Sequence, residues 1–269
     1  MFFCQLCLIK EIKVVVMSGF KTLFYKETLR FWKVGFQTIG APILTSLLYL
    51  LVFSYALKNR VKVHADLDVD YLTFLVPGLA MMSLLQNAFA NSSTSLTQSK
   101  VMGNILFLLL TPISHLTFYL AYIAASCVRG VIVAAGVLVA ASLFVDLPVT
   151  NFFLILFFSV MGSIMLGSLG IIAGIWADKF DQMAAFQNFI ILPMTFLSGV
   201  FYSVENLPDT WKWISHGNPF FYLIDGFRAG FFGFSDVPIA MSICVVSLVS
   251  LALSCACLLI IRSGYKLRA

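Results

Sequence analysis

Apolar residues run along this chain in long unbroken stretches, each closed by a short polar interval. Crossing a hydrocarbon core of roughly 30 Å takes about 20 such residues in a helix. Six stretches meet that rule: Gly35 to Leu57, Leu72 to Ala90, Leu116 to Val145, Phe152 to Ala177, Ala184 to Tyr202 and Pro238 to Ile261. They predict an all-α membrane protein of six spans. One stretch breaks where a membrane helix should continue. After Pro193 and Gly199 comes a polar turn carrying Trp211 and Trp213, then a short, glycine-rich apolar piece from Pro219. Non-helical backbone near membrane depth is tolerated only where protein buries it or a cavity wets it. Residues 203–234 are therefore expected to form a re-entrant outward hairpin beside a translocation path, between spans five and six.

Two further segments carry a helical pattern without being spans. Between Lys21 and Lys33, the residues Leu23, Phe24, Phe31 and Trp32 interleave with Lys21, Lys26, Glu27, Arg30 and Lys33. A basic helix with aromatics on its other face lies in the membrane interface; the plainer reading is a basic flank of the first span. After span two, Asn91 to Lys100 is polar and predicts a loop on the inward side. Val101, Met102, Ile105, Leu106, Leu109 and Leu110 then repeat every four residues up to Pro112, which predicts a short amphipathic helix. Such a helix fits a partner's groove or serves as a connector held by lipid. Span four holds Gly170 and Gly174 in a GxxxG, which lets helix backbones approach closely.

Composition agrees with the pattern. Hydrophobic residues make up 61% of the 269 residues, charged residues 11%, and the mean hydropathy is +0.98. The net charge of +5 does not point to nucleic acid, because of where the charges fall. Lys10, Lys13, Lys21, Lys26, Arg30 and Lys33 precede the first span, and Arg262, Lys266 and Arg268 follow the last. Lysine and arginine near span ends mark the cytoplasmic side, so both termini are placed there, which an even number of spans requires. The loop with Lys58, Arg60 and Lys62 is a mild exception, offset by Asp66, Asp68 and Asp70. Residues 1–16 are atypical, and Met17 offers an alternative start.

Absent motifs narrow the chemistry. The sequence has no GxxxxGK[ST] loop for ATP phosphates and no HExxH, and its three histidines lie far apart. No metal site is expected. Cys4 and Cys7 form a CxxC without a second ligand pair, and the DxD at Asp68 and Asp70 reads as a solvated turn. The predicted spans contain no acidic residue, which counts against a proton- or sodium-coupled carrier. Arg129 stands alone inside span three, where insertion of a charge costs at least ~2.5 kcal/mol. Two roles fit it: binding carbonyls at a broken helix end, or facing a cavity and meeting anionic substrate groups. Trp211 and Trp213 suit interfacial anchoring or a gate over the exit of a path. Asp225 and Arg228, three apart, are placed to pair on one helix face.

Three pieces of this chain resemble the ABC-2 type transporter permeases: FLVPGLAMMS from Phe74 to Ser83, the polar inward helix, and SGVFYSVENLPDTWKWISHGNPFFYLIDGFRAGFFG from Ser198 to Gly233. The chain is most similar to bacterial inner-membrane exporter permeases, over essentially Met17 to Ala269. The resemblance implies a cytoplasmic N-terminal segment (1–34) whose amphipathic part is an interfacial helix. It implies a six-span transmembrane domain (35–269) that forms the path as a homodimer among membrane lipids. ATP and Mg would lie on a separate ABC ATP-binding subunit, with no cofactor and no catalytic residue on this chain. Residues 91–115 become the inward coupling region, with Gln98, Ser99, Lys100, Met102 and Asn104 as the contacts to the ATPase. Trp211, Trp213, Asn218, Pro219 and Arg228 become the re-entrant, gating set. The alternative function is a membrane scaffold or regulatory subunit that binds an ATPase without transporting. A passive channel or a membrane enzyme is a weaker fit, the latter for want of clustered His, Asp, Glu or Ser.

Overall fold

The computed structural model describes residues 19–57 and 70–266. The alternative start at Met17, the Cys4–Cys7 pair, the loop from Lys58 to Asp68 and the last three residues lie outside them. Residues 19–33 form a helix, α1. A π-helical turn, Phe36–Gly40, leads into α2, Ala41–Leu57. Next come α3 (Tyr71–Val101), α4 (Ile105–Leu110), α5 (His115–Ala141) and α6 (Phe152–Trp176). Helix α7 (Phe180–Phe186), a second π-helical turn (Gln187–Ile191) and α8 (Leu192–Phe196) follow without a break. The hairpin pair α9 (Asp209–His216) and α10 (Pro219–Phe232) precedes the last helix, α11 (Ile239–Ser263). No strand occurs among the described residues.

Five of these helices are long and apolar enough to cross a membrane: the one beginning at Phe36, α3, α5, α6 and α11. They match predicted spans one, two, three, four and six. The predicted fifth span is assembled from α7, the π-helical turn and α8, so its continuous helix runs from Phe180 to Phe196 only.

Helix α3 is the axis of the bundle. Of its most apolar window 83% is buried, against 11% for the first span and 17% for α11. Helices α6 and α5 lie along it, and α10 closes against α3 and α6. What lets α6 come so near is its glycine stripe. A Cβ at Gly170 would stand 2.6 Å from the Phe89 carbonyl oxygen, and one at Gly174 3.0 Å from that of Ser93. The GxxxG is thus a seam within one chain, with dispersion contacts replacing the hydrophobic drive that lipid surroundings remove. Helix ends are sealed by side chains: Ser114 caps α5, Asn151 caps α6 and Asn218 caps α10 through their oxygens.

The C-terminal part of α3 departs from expectation. Asn91 to Lys100 is no loop; it continues α3, and Asn91, Ser92, Ser93, Ser95 and Thr97 are all buried. Helix α3 therefore has 31 residues, where an apolar span of 19 was expected to end at Ala90. Serine and threonine usually signal loops because they compete for backbone bonds. Here Thr94 donates to the Ala90 carbonyl and Ser99 to that of Ser95, which leaves the helix intact. The amphipathic helix expected from Val101 is interrupted at Met102–Asn104, where Gly103 takes a left-handed φ of 71°. Only Ile105–Leu110 resumes it.

A Gly170→Leu substitution is expected to destabilise the purified protein by about 1–3 kcal/mol or more, since its neighbour is backbone that cannot yield. Thermal unfolding in detergent reads this. Gly35→Ala, whose Cβ meets nothing within 4 Å, serves as the unaffected control.

Candidate functional site

The break after α8 is built from carbonyls that have lost their helical partners. Six of them receive side-chain donors. Asn218 Nδ2 donates to the Met194 oxygen (2.6 Å), Tyr202 to that of Phe196 (3.2 Å) and Ser215 to that of Leu197 (3.0 Å). Arg228 Nη2 donates to the Gly199 and Val200 oxygens (2.9 and 3.4 Å), and Tyr71 to that of Phe201 (3.0 Å). The Arg228 guanidinium also stacks over the Phe74 ring at 3.7 Å. Gly78 lets this backbone approach, since a Cβ there would lie 2.7 Å from the Val200 oxygen. Gly199 itself turns at φ 76°. The FLVPG and SGVFYS stretches, more than a hundred residues apart, thus meet at one arginine.

Arg228 and Asp225 do not form the ion pair expected from their spacing. Asp225 Oδ1 instead accepts the Asp236 N–H at 2.9 Å, and Asp236 in turn accepts from Ser203 and the Val204 N–H. A carbonyl-rich break draws the arginine away from the carboxylate three residues earlier. Trp211 and Trp213 sit on the exposed face of α9, the latter 80% exposed, while Pro219 and Asn218 open α10.

Halfway along α5, Arg129 borders a cavity of about 320 Å³. Its walls come from the first π-helical turn, α2, α3, α5 and the second π-helical turn. Arg129 is 7% exposed and donates through Nη2 to Asn87 Oδ1 at 3.0 Å. Asn87 donates back to the Ser83 carbonyl, and Ser83 shares a 2.6 Å hydrogen bond with Ser46 of α2. Of the two roles open to Arg129, the geometry is that of a cavity wall; it binds no broken-end carbonyl among the described residues. Below this Ser126 is hydrogen-bonded to both Asn91 Nδ2 and the Ser92 hydroxyl, and Arg30 of α1 donates to the Asn91 oxygens. Glu27, fully buried, faces Arg30 at 3.2 Å. Leu23, Glu27 and Phe31 form the buried face of α1, one residue per turn.

The coupling candidates divide. Met102 and Asn104 are exposed at the turn, beside exposed Leu106, Phe107 and Leu110. Gln98 and Ser99 are half-buried. Lys100 turns inward: its ammonium donates to the Ile175 and Ala177 carbonyls and to Asp178 Oδ1, all within 2.9 Å. Lys266 donates to the Trp176 carbonyl and to Asp178 Oδ2. Two cations thus close the C-terminal end of α6, where the helix dipole favours positive charge. The result is a latch joining the C-terminal ends of α3, α6 and α11. Hydrogen bonds from Lys100 and Lys266 hold the Asp178 carboxyl at about 2, below its ordinary 3.8.

Sequence reasoning missed Glu27, Gln37, Asn87, Asp178, Lys266 and Gln187. Gln37, Asn87 and Gln187 carried a signal, as amides inside predicted spans one, two and five. The others gain meaning from partners far away in the chain.

The chain belongs to the ABC-2 type transporter family. The family's sequence profile matches residues 18–232. The chain is 33% identical to the inner membrane transport permease YadH of Escherichia coli over 250 residues, 93% of this chain and 96% of the relative. It is 23% identical over 205 residues to the capsule polysaccharide export inner-membrane protein CtrC of Neisseria meningitidis serogroup B, covering 73% of this chain and 70% of the relative. The serogroup A protein of the same name is 26% identical over 194 residues.

The latch makes a pH prediction. A carboxylate with a depressed pKa stabilises the fold fully above its ordinary value and loses that effect as pH falls through its folded value. The difference in unfolding midpoint between the native chain and Asp178→Asn should stay constant from about pH 8 to 5 and shrink as pH approaches about 2. A difference that varies between pH 5 and 8 would contradict the latch.

Proposed function

We propose that this chain is the transmembrane subunit of an ATP-binding cassette exporter, forming the substrate path as a homodimer and driven by a separate P-loop ATPase that holds ATP and Mg. The observation that carries this reading is a membrane bundle of the ABC-2 family whose 269 residues contain no ATP-phosphate loop. Its relatives are named a transport permease and a capsule polysaccharide export protein. On this reading the chain sits in a bacterial inner membrane with both termini cytoplasmic, as the distribution of lysine and arginine favours.

Six spans follow if α7, the π-helical turn and α8 count as the fifth. Their 17 residues reach about 26 Å at 1.5 Å per residue, close to the hydrocarbon thickness. Helices α9 and α10 are then the re-entrant hairpin, with Trp211 and Trp213 at the interface. Helix α1 lies along the inner surface, its Leu23–Glu27–Phe31 face on the bundle and Tyr25 and Trp32 outward.

The ATPase contact falls on Met102, Asn104 and the exposed face of α4, with Gln98 and Ser99 behind them. Lys100 acts one step further in. A push on this turn passes through the Lys100–Asp178–Lys266 latch to α6 and α11, which couples ATP-driven closure to alternating access.

Affinity purification from membranes in mild detergent tests this directly. A stoichiometric P-loop ATPase is expected to co-elute with the native chain and to be depleted at least tenfold by Met102→Glu combined with Asn104→Glu. A lone homo-oligomer in several detergents, or undiminished recovery with the double variant, would move weight to a scaffold or channel or remove the assigned contact.

A further inference from the structure

Resting on the reading of this chain as a transport subunit, we infer that the cavity around Arg129 is a cargo subsite for an oxyanion, a phosphate or carboxylate group borne by the exported molecule. Its lining is chemically one-sided. Arg129, Asn87, Gln86, Gln37 and Gln187 bring hydrogen-bond donors, Ser83 a hydroxyl, and no carboxylate among the described residues lines the wall. Among the described residues two buried donors of this lining, Arg129 Nε and Gln86 Nε2, have no partner.

The charge balance points the same way. Glu27, the buried acid of this region, is already paired with Lys26 and Arg30. Arg129 makes no ion pair among the described residues and has one neutral acceptor, the Asn87 side-chain oxygen. Arg228 shows how this bundle uses an arginine for structure: two carbonyls and an aromatic face hold its guanidinium, although its Nε, like that of Arg129, has no partner among the described residues. Arg129 instead holds an unmatched charge against an open polar space near the middle of a 27-residue helix. An oxyanion there would supply the counter-charge, and the planar guanidinium fork matches phosphate and carboxylate geometry.

Backbone irregularity adds an independent sign. The π-helical turns Phe36–Gly40 and Gln187–Ile191 lie on different elements, yet each places a glutamine, Gln37 and Gln187, in this same wall. Single π-helical turns gather at functional sites. At about 320 Å³ the space stands at the small end of ligand cavities. It suits a head group or one acidic sugar unit, with the rest of the cargo outside.

The test uses the full chain purified in a neutral detergent, with whatever subunit co-elutes, and reads ligand-induced shifts of the unfolding midpoint. Dioleoyl phosphatidic acid is compared with dioleoylglycerol, inorganic phosphate with buffer, and glucuronate with glucose. The anionic member of at least one pair should stabilise the native chain while its neutral counterpart does not. Arg129→Gln should weaken that binding at least tenfold, and Arg129→Lys should restore part of it. A response to phosphatidic acid alone assigns a lipid-borne phosphate; a response to phosphate or glucuronate assigns a soluble one. Equal shifts from charged and neutral probes, or equal anion binding by Arg129→Gln, would overturn the inference. Should Arg129→Gln fail to fold, Gln37→Ala with Gln187→Ala carries the test: weakened anion binding supports the site and unchanged binding overturns it. The readout needs neither ATP nor transport. Failure to recover an ATPase would therefore strike the exporter reading and leave the subsite result intact.

Discussion

Backbone carbonyls released inside an apolar surrounding must find donors, and in this protein one arginine and a handful of side chains supply them. Between Met194 and Phe201 six carbonyls accept from side chains, those of Asn218, Tyr202, Ser215, Arg228 and Tyr71. An unsatisfied polar group in hydrocarbon costs several kcal/mol, so the break persists only because these donors converge on it. They arrive from α3, from α9 and α10 and from the break itself. The same bonds that permit the break therefore fix where α10 lies against α3 and α6. Gly78 and Gly199 are small or left-handed for this reason: one yields room to the Val200 carbonyl, the other makes the turn.

The polar groups of the bundle interior fall into two kinds. Ser46, Ser83, Ser92, Ser126 and Asn91 satisfy one another across helices and bring backbones close, as short polar side chains do in membranes. Arg129 and the glutamines of the two π-helical turns face space instead. The first kind explains how α3 stays together over 31 residues; the second marks where something other than protein enters. At the C-terminal end of α3, Lys100 belongs to neither. It ties the end of α3 to the α6 terminus next to the exposed turn at Met102, so a force on that turn is felt by three long helices.

What could be read from the amino acids alone followed from periodicity and length. The helices at His115, Phe152 and Ile239 begin within one residue of the spans predicted from Leu116, Phe152 and Pro238. Unbroken apolar runs have no competing structure at that length. Asn91 to Lys100 misled because serine, threonine and asparagine favour loops locally, and only the facing helices α5, α6 and α1 convert them to buried helix. Arg228 was recognisable as part of a motif, but its acceptors are set by tertiary approach, so the nearby Asp225 looked like the better partner. The π-helical turns leave no pattern in hydrophobic spacing, and Gln37 and Gln187 gain significance only once α2 and the fifth helical segment are seen on one cavity. Family resemblance implied the turn near Met102 as a place of coupling, while the burial of the Lys100 ammonium depends on α6 carbonyls that only the fold brings to it.

The account centres on an aqueous, ATP-responsive path that includes the Arg129 cavity. The most direct measurement places single cysteines at Gln37 and Gln187 and follows their modification by a charged, membrane-impermeant thiol reagent in vesicles of each orientation. Modification at both positions, with a rate that changes several-fold when ATP is supplied to the assembled complex, is the predicted result. Labelling only by membrane-soluble reagents, or at a rate indifferent to ATP, would contradict it.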